Sequence, residues 1–211
     1  MQDGDERTLV EQARGGCAAA FEELVRRCDR DLLRLACRLT RSTEEARDLY
    51  QETFLRAFRS LRAFRGDCAF RTWVLRIASH HWLDQARRRV ADRTDPRPAA
   101  GPDEGREAPE AVDRRTDPER ELLRLEIRKR LREAIESLAP RERLVFEMRH
   151  DQGERLTDIA VALETTEETV RNCLYRAHRR LRESLADLAP PARAADRGSG
   201  RHRSDSTEQG I

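Results

Sequence analysis

Residues Leu156 to Arg182, LTDIAVALETTEETVRNCLYRAHRRLR, read as two short helices joined by a tight turn, and this pattern restricts the fold more than any other stretch. Leu156, Ile159, Ala160 and Leu163 recur at three- and four-residue spacing. Val170, Leu174, Ala177, Leu181 and Leu185 repeat that spacing, so each helix has one apolar side. The spacing predicts a helix-turn-helix. Thr165 or Thr166 is placed to cap the second helix, with Glu168 three residues after Thr165 as a capping box requires. The opposite face carries Arg171, Asn172, Tyr175, Arg176, Arg179 and Arg180. Paired amphipathic helices also occur in bundles that never touch nucleic acid, but their outer faces mix Glu with Lys. Arg, Asn and Tyr hydrogen-bond bases and phosphates, and a helix of this kind enters a major groove with its N-terminal half against base edges.

The chain has 211 residues, room for one large or two small domains, and its 39% charged and 37% hydrophobic residues suit small helical domains with thin cores. A net charge of +2 conceals segregation, with arginines crowded at Arg87 to Arg89 and Arg171 to Arg182. A polyanion meets the local charge rather than the total. Lys129 is the only lysine, so the basic character comes from a side chain suited to bidentate contacts with phosphate and guanine.

Five cysteines, Cys17, Cys28, Cys37, Cys68 and Cys173, are odd in number and lack a CxxC pair, which predicts free thiols in a reducing cytoplasm. Cys28 and Cys37 fall within an apolar helical pattern and read as small core residues. Adjacent His80 and His81 point in different directions from a helix, so no metal site is assigned, and no cofactor is expected. The acidic start MQDGDERTLV is not a basic leader and no run of eighteen apolar residues occurs, so neither export nor membrane insertion is expected.

The fold class is all-α: two small helical domains joined by a flexible linker, the second with the helix-turn-helix. Residues 5–89 are helical nearly throughout. Phe21, Leu24, Val25, Leu32, Leu33, Leu35, Ala36 and Leu39 form an apolar side, followed by a turn at Thr40 to Thr43. Ser42 or Thr43 caps a helix from Glu44 to Phe58 that buries Ala46, Leu49, Tyr50, Thr53, Phe54, Ala57 and Phe58 and leaves Asp48, Gln51, Glu52 and Arg56 outside. Gly66 and Asp67 make a turn before a helix from about Ala69 to Arg89. Residues 90–117 hold Pro96, Pro98, Pro102 and Pro109 and almost no large apolar side chain, which reads as an extended linker. Residues 118–188 give about four helices, broken at Pro140, and residues 189–211 are a polar, proline-led tail expected to be disordered.

With this organisation in place, the chain resembles a bacterial extracytoplasmic-function sigma factor. The resemblance is carried by Asp48-Leu-Tyr-Gln-Glu-Thr-Phe-Leu-Arg56, Phe64-Arg-Gly-Asp67, Thr72-Trp-Val-Leu-Arg-Ile-Ala78 and Leu83-Asp-Gln-Ala-Arg-Arg-Arg89 in the first domain. In the second it is carried by Leu138-Ala-Pro-Arg-Glu-Arg143, Thr157-Asp-Ile-Ala160, Thr169-Val-Arg171 and Leu174-Tyr-Arg-Ala177. It implies a protein, not itself an enzyme, that binds core RNA polymerase, recognises promoter DNA, opens it and starts transcription. An anti-sigma partner is implied as well, with the free protein a monomer.

By the same resemblance, Asp48, Gln51, Glu52 and Arg56 dock on the polymerase, the bland alternative being a solvated face. Phe64, Asp67, Phe70 and Thr72 form or support the loop that melts the downstream promoter element. Arg71 and Arg76 face phosphates, Trp73 and His80 lie on the adjoining helix, and Arg87, Arg88 and Arg89 hold the backbone. For Phe70 and Trp73 core packing is the competing reading. Thr166, Arg171, Asn172, Tyr175, Arg176 and Arg179 are the candidates for the upstream element. His80, Glu164, Cys173 and His178 depart from the family pattern, Glu164 taking the place of a customary turn glycine. Two other functions fit parts of the chain. One is a free-standing helix-turn-helix regulator that binds operator DNA without polymerase; the other is a nucleic-acid-processing enzyme with Asp48, Glu52 and Asp67 around a divalent ion.

Overall fold

The computed structural model describes residues 2–92 and 118–188, and all regular elements among them are helical. The first lobe holds α1 (Gln2–Arg14), α2 (Ala18–Leu39), α3 (Thr43–Ser60), a 3-10 turn at Leu61–Ala63 and α4 (Phe70–Asp92). The second holds α5 (Pro118–Glu136), α6 (Pro140–His150), α7 (Leu156–Ala162), α8 (Glu167–Ser184) and a closing 3-10 turn at Ala186–Leu188. The helix expected to end at Arg89 runs on to Asp92, into the range read as linker. The rest of that range, 93–117, and the tail 189–211 lie outside the described residues.

Spacing explains which side of α2 goes inward. Leu24, Cys28, Leu32, Leu35 and Leu39 follow one another at steps of three or four and are all buried. Leu33, expected on that side, is 47% exposed because it sits one position beyond the stripe. The helix stops where Thr40 turns extended, its hydroxyl donating to the Ala36 carbonyl at 2.8 Å. Ser42 then caps α3, accepting from the Glu45 N–H at 3.1 Å, with Glu44 and Glu45 in the first turn where the helix dipole favours negative charge. Buried Thr53 satisfies its hydroxyl on the Leu49 carbonyl at 2.6 Å. Phe58 does not join the buried stripe as expected: it is 59% exposed and rests on Phe21 edge to face, ring centroids 5.1 Å apart.

Pro140 occupies the start of α6, where a missing N–H costs nothing. α7 ends in a Schellman turn: the Thr165 N–H donates to the Ala160 carbonyl at 2.9 Å and that of Glu164 to the Val161 carbonyl at 3.3 Å. Glu164 therefore takes φ +49°, a left-handed conformation that costs a residue with a Cβ about 1–2 kcal/mol. The cap of α8 is Thr166, which accepts from the Thr169 N–H at 3.2 Å. The capping box expected from Thr165 and Glu168 is thus displaced by one residue, with Thr169 rather than a Glu in the third position.

The lobes share a core. Leu35, Ala36, Leu39, Ala46, Leu49, Leu75 and Trp82 of the first pack in one cluster with Leu144, Val145, Met148, Ile159, Ala160, Ala162, Leu163, Val170, Cys173 and Leu174 of the second. Trp82 hydrogen-bonds the Leu39 carbonyl at 3.0 Å, satisfying its indole inside this cluster. Polar ties cross the same seam: Arg143 Nη2 donates to the Arg38 carbonyl at 2.6 Å, and Arg38 Nε pairs with Asp151 at 3.1 Å. A second cluster, centred on Leu24, Leu32, Phe54, Phe64, Phe70, Trp73 and Val74, belongs to the first lobe alone.

Candidate functional site: one helix face, one cleft and one arginine-bearing helix

The outward face of α3 shows Asp48, Gln51 and Arg56 to solvent with Glu52 half-buried beside them. Glu52 accepts from Arg56 Nε at 2.7 Å, one helical turn away, and this hydrogen bond holds its carboxyl below the usual range. Two residues that sequence reasoning passed over belong to this surface. Leu55, 49% exposed between Gln51 and Arg59, adds an apolar centre to a charged rim. His81 of α4 lies close enough for Arg56 and Glu52 to perturb it; burial first, then Arg56, holds its imidazole below the ordinary value.

The loop between the 3-10 turn and α4 bends at Gly66, whose φ of +79° suits glycine. Around it lies a cleft of about 230 Å³ lined by Ala63, Phe64, Arg65, Asp67, Cys68, Trp73 and Arg76. Phe64, Phe70 and Trp73 form one aromatic cluster, with centroids 4.8 Å apart for Phe64–Trp73, 5.7 Å for Phe70–Trp73 and 6.0 Å for Phe64–Phe70. Phe70 and Thr72 are buried and support the loop rather than form its surface. Trp73 also goes to the core, keeping one edge on the cleft. Asp67 alone of the four expected loop residues is exposed. Glu6 of α1 accepts from the Phe70 N–H at 2.8 Å, satisfying a free donor at the start of α4, a long-range cap that no local pattern signals.

The two arginines expected to face phosphates are engaged by carboxylates. Arg71 Nε meets Asp31 at 2.6 Å and its Nη1 is hydrogen-bonded by Glu154 of the other lobe. Burial pulls this guanidinium down, but the two carboxylates more than offset that and its pKa is raised. Arg76 reaches Glu164 at 3.3 Å and Cys68 Sγ at 3.5 Å, while its Nε is buried with no hydrogen-bond partner. His80, Arg87, Arg88 and Arg89 are exposed further along α4; Arg87 pairs with Asp84, and Arg89 with Glu45 at 3.0 Å.

On α8, Arg171, Asn172, Tyr175, Arg176, Arg179 and Arg180 all lie on the exposed face, and Val170, Cys173, Leu174, Ala177 and Leu181 on the buried one. Arg171 is tied to Glu167 at 2.8 Å, one turn earlier. Arg176 and Arg180 converge on Glu142 of α6, a carboxylate only 5% exposed, at 3.0 Å and 3.3 Å. Sequence reasoning missed Glu142 because it stands between two arginines in a charged run and looks like any surface acid. Among the described residues no group of three or more His, Cys, Asp or Glu is placed to hold a metal ion.

A helix-turn-helix presenting arginines, joined to a second all-helical lobe with a polar cleft, defines a DNA-binding protein of the transcription apparatus. Its first lobe matches the family model described as Sigma-70 region 2 over residues 24–91, and its second that of Sigma-70 region 4 over residues 128–194. The chain is 33% identical over 191 residues to an RNA polymerase sigma-H factor of Pseudomonas aeruginosa, covering 89% of this chain and 96% of that one. It is 32% identical over 190 residues to an ECF RNA polymerase sigma-E factor of Escherichia coli K12, covering 88% and 95%. CnrH, solved in complex with the cytosolic domain of CnrY, shares the fold with a TM-score of 0.61 at 24% identity, over 88% of this chain and 99% of that one. So does a sigma factor RpoE of Bartonella quintana, solved in complex with the anti-sigma factor NepR, with a TM-score of 0.56 at 19% identity, over 79% and 96%. The chain belongs to the extracytoplasmic-function sigma factors of bacterial RNA polymerase. As a sigma factor it binds core polymerase and directs promoter recognition and transcription initiation.

Proposed function

We propose a division of labour among the three surfaces. The α3 face of Asp48, Gln51, Glu52, Leu55 and Arg56 docks on core polymerase. The cleft beside Asp67, with Arg71, Arg76 and Arg87 to Arg89 along α4, holds and opens the downstream promoter element. The α8 face of Arg171, Asn172, Tyr175, Arg176 and Arg179, with Thr166 at its start, reads the upstream one. The observation that carries this reading is the cleft: a polar, arginine-bearing hollow walled by the edge of buried Trp73 offers hydrogen bonds to one unpaired base. A hydrogen bond to a charged group contributes about 1.5–3 kcal/mol. That is comparable with the few kcal/mol that unstacking costs, so small contributions decide whether the duplex opens.

The chain carries no catalytic step of its own in this reading and acts where the polymerase is, in the cytoplasm. An anti-sigma partner fits it, since a sigma factor RpoE of the same fold is solved in complex with the anti-sigma factor NepR, and CnrH, also of this fold, with the cytosolic domain of CnrY. Run-off transcription with reconstituted core polymerase tests the assignment. Gln51→Ala with Leu55→Ala lowers co-elution with core, Asp67→Ala lowers promoter opening at undiminished co-elution, and Arg176→Ala lowers selectivity for the upstream element. Equal loss of all three activities in every variant would sink the division.

A further inference from the structure

Helix α1 holds the cleft loop from both sides. Ala63, Phe64, Arg65, Asp67 and Cys68 line the cleft from that loop, and no residue of α1 lines it. Just before them, the Arg62 carbonyl accepts from Arg14 Nη2 at 3.3 Å. Just after them, the Phe70 N–H donates to Glu6 Oε1 at 2.8 Å. We propose that α1 is a brace and Glu6 a positioning residue for promoter opening: with Arg14 it holds the chain between Arg62 and Phe70 in the shape that receives an unpaired base. The inference rests on the assignment of the cleft made above. It adds an element that precedes the Sigma-70 region 2 match, which begins at residue 24.

Three observations separate this from incidental packing. First, the loop does not hold itself. Among the described residues, Arg65, Gly66, Asp67 and Cys68 make no backbone–backbone hydrogen bond. The buried rings of Phe64 and Phe70 anchor its ends, but apolar burial is non-directional and does not fix where the backbone points. Second, α4 starts without a local cap. Ala69, whose carbonyl accepts from the Trp73 N–H at 3.1 Å, stands at the cap position and has no side-chain oxygen. Glu6 supplies an acceptor from 64 residues away and sets its carboxylate at the positive end of the α4 dipole. The first turn it secures carries Thr72 and Trp73, and Trp73 walls the cleft. Third, α1 has its own footing. Val10 and Ala13 are buried in the cluster that holds Leu24, Phe64 and Phe70, and Asp5 pairs with Arg27 of α2 at 2.5 Å. Glu6 stands one helical turn before Val10 on the same side, so packing that does not depend on its carboxylate delivers that carboxylate to Phe70.

The test pairs amide hydrogen exchange on the full chain with permanganate reactivity of a promoter in the holoenzyme. Glu6→Ala is expected to speed exchange across residues 63–73 about fivefold and to lower promoter opening about threefold, the range for one lost hydrogen bond, at undiminished co-elution with core. Glu6→Gln keeps an acceptor oxygen on the same stem and is expected to stay within about twofold of the parent chain in both measurements. Two controls match what Glu6→Ala removes. Glu11→Ala takes an exposed acid from the same helix, and Ser42→Ala takes the cap from α3. Both are expected to leave exchange across residues 63–73, and opening per bound holoenzyme, within about twofold of the parent chain. Unchanged exchange in Glu6→Ala, a loss in Glu6→Gln as large as in Glu6→Ala, or an equal loss of opening in either control overturns the brace. Asp67→Ala separates the two levels. Opening reduced in Asp67→Ala but not in Glu6→Ala overturns only the part of α1 in opening. Undiminished opening in Asp67→Ala overturns the assignment of the cleft itself, and the exchange data then still decide whether Glu6 holds the loop.

Discussion

Arg176, proposed above to read the upstream element, has its Nε 3.0 Å from the buried Oε1 of Glu142 on α6. Nε meets Glu142 and Nη2 meets Cys173 Sγ at 3.4 Å, so in the proposed reading Glu142 aims Arg176 rather than competing with DNA for it. Arg176→Ala is expected to weaken holoenzyme binding to a promoter with an intact upstream element by about 1–3 kcal/mol. Glu142→Gln keeps the shape but loosens the aim, and is expected to cost less than tenfold, about 1.4 kcal/mol. Competition binding on promoters with and without the upstream element measures both; a larger loss for Glu142→Gln than for Arg176→Ala would show that Glu142 does more than position.

Phe70 and Asp67 lie three residues apart and do opposite jobs. Phe70 is 2% exposed, wedged between Phe64, Trp73 and Phe21, so Phe70→Ala removes a fully buried ring and is expected to cost about 3–5 kcal/mol in urea unfolding. Asp67 is exposed on the cleft, so Asp67→Ala is expected to change stability by no more than about 0.5 kcal/mol while lowering promoter opening. A stability loss of several kcal/mol for Asp67→Ala would move this residue from the site to the scaffold.

The helices and their inward stripes were legible because periodicity is local: Leu24, Cys28, Leu32, Leu35 and Leu39 show themselves every third or fourth position. Edges of the stripe were not. Leu33 and Phe58 are apolar and adjoin buried positions, yet lie exposed, since a helical repeat defines a direction and not how far round the helix the neighbour reaches. Of the candidate site, the exposed face of α8 was legible, because its arginines alternate with the apolar stripe in sequence. The site was illegible where partners are distant in sequence. Nothing near Arg71 announces Glu154, and nothing near Phe70 announces Glu6, because only the packing of one helix on another brings those carboxylates to their donors.

Two adjacent threonines compete for the start of α8, and hydrogen bonding decides between them. Thr166 accepts from the Thr169 N–H and, through its hydroxyl, also meets the Thr169 hydroxyl at 2.8 Å. Thr166→Ala is expected to destabilise the chain by about 1 kcal/mol. Thr165, whose backbone closes the preceding turn, is expected to lose less than about 0.5 kcal/mol on the same change. Parallel chemical melts give the order, and the reverse order would return the cap to Thr165.

Acid is expected to weaken the fold through two histidines. Burial, then Arg56, holds His81 below 6.5; Glu52 and Asp84 oppose the shift and Arg88 adds to it. Burial, then His178 and Arg149, does the same to His150, whose Nε2 lies 3.1 Å from that of His178 with the Phe146 ring against both. A group whose folded pKa is depressed takes up its proton more readily in the unfolded chain, so between the folded value and 6.5 the unfolded state binds more protons. Stability is therefore flat above about pH 7 and falls as pH drops through that window. Above pH 5.5, carboxylates, with ordinary values near 4, contribute little to the slope. Urea melts at pH 7.5 and pH 5.5 are expected to show a smaller difference for His81→Gln with His150→Gln than for the parent chain. An equal difference would place the acid sensitivity elsewhere, because these two imidazoles would then gain protons equally in both states.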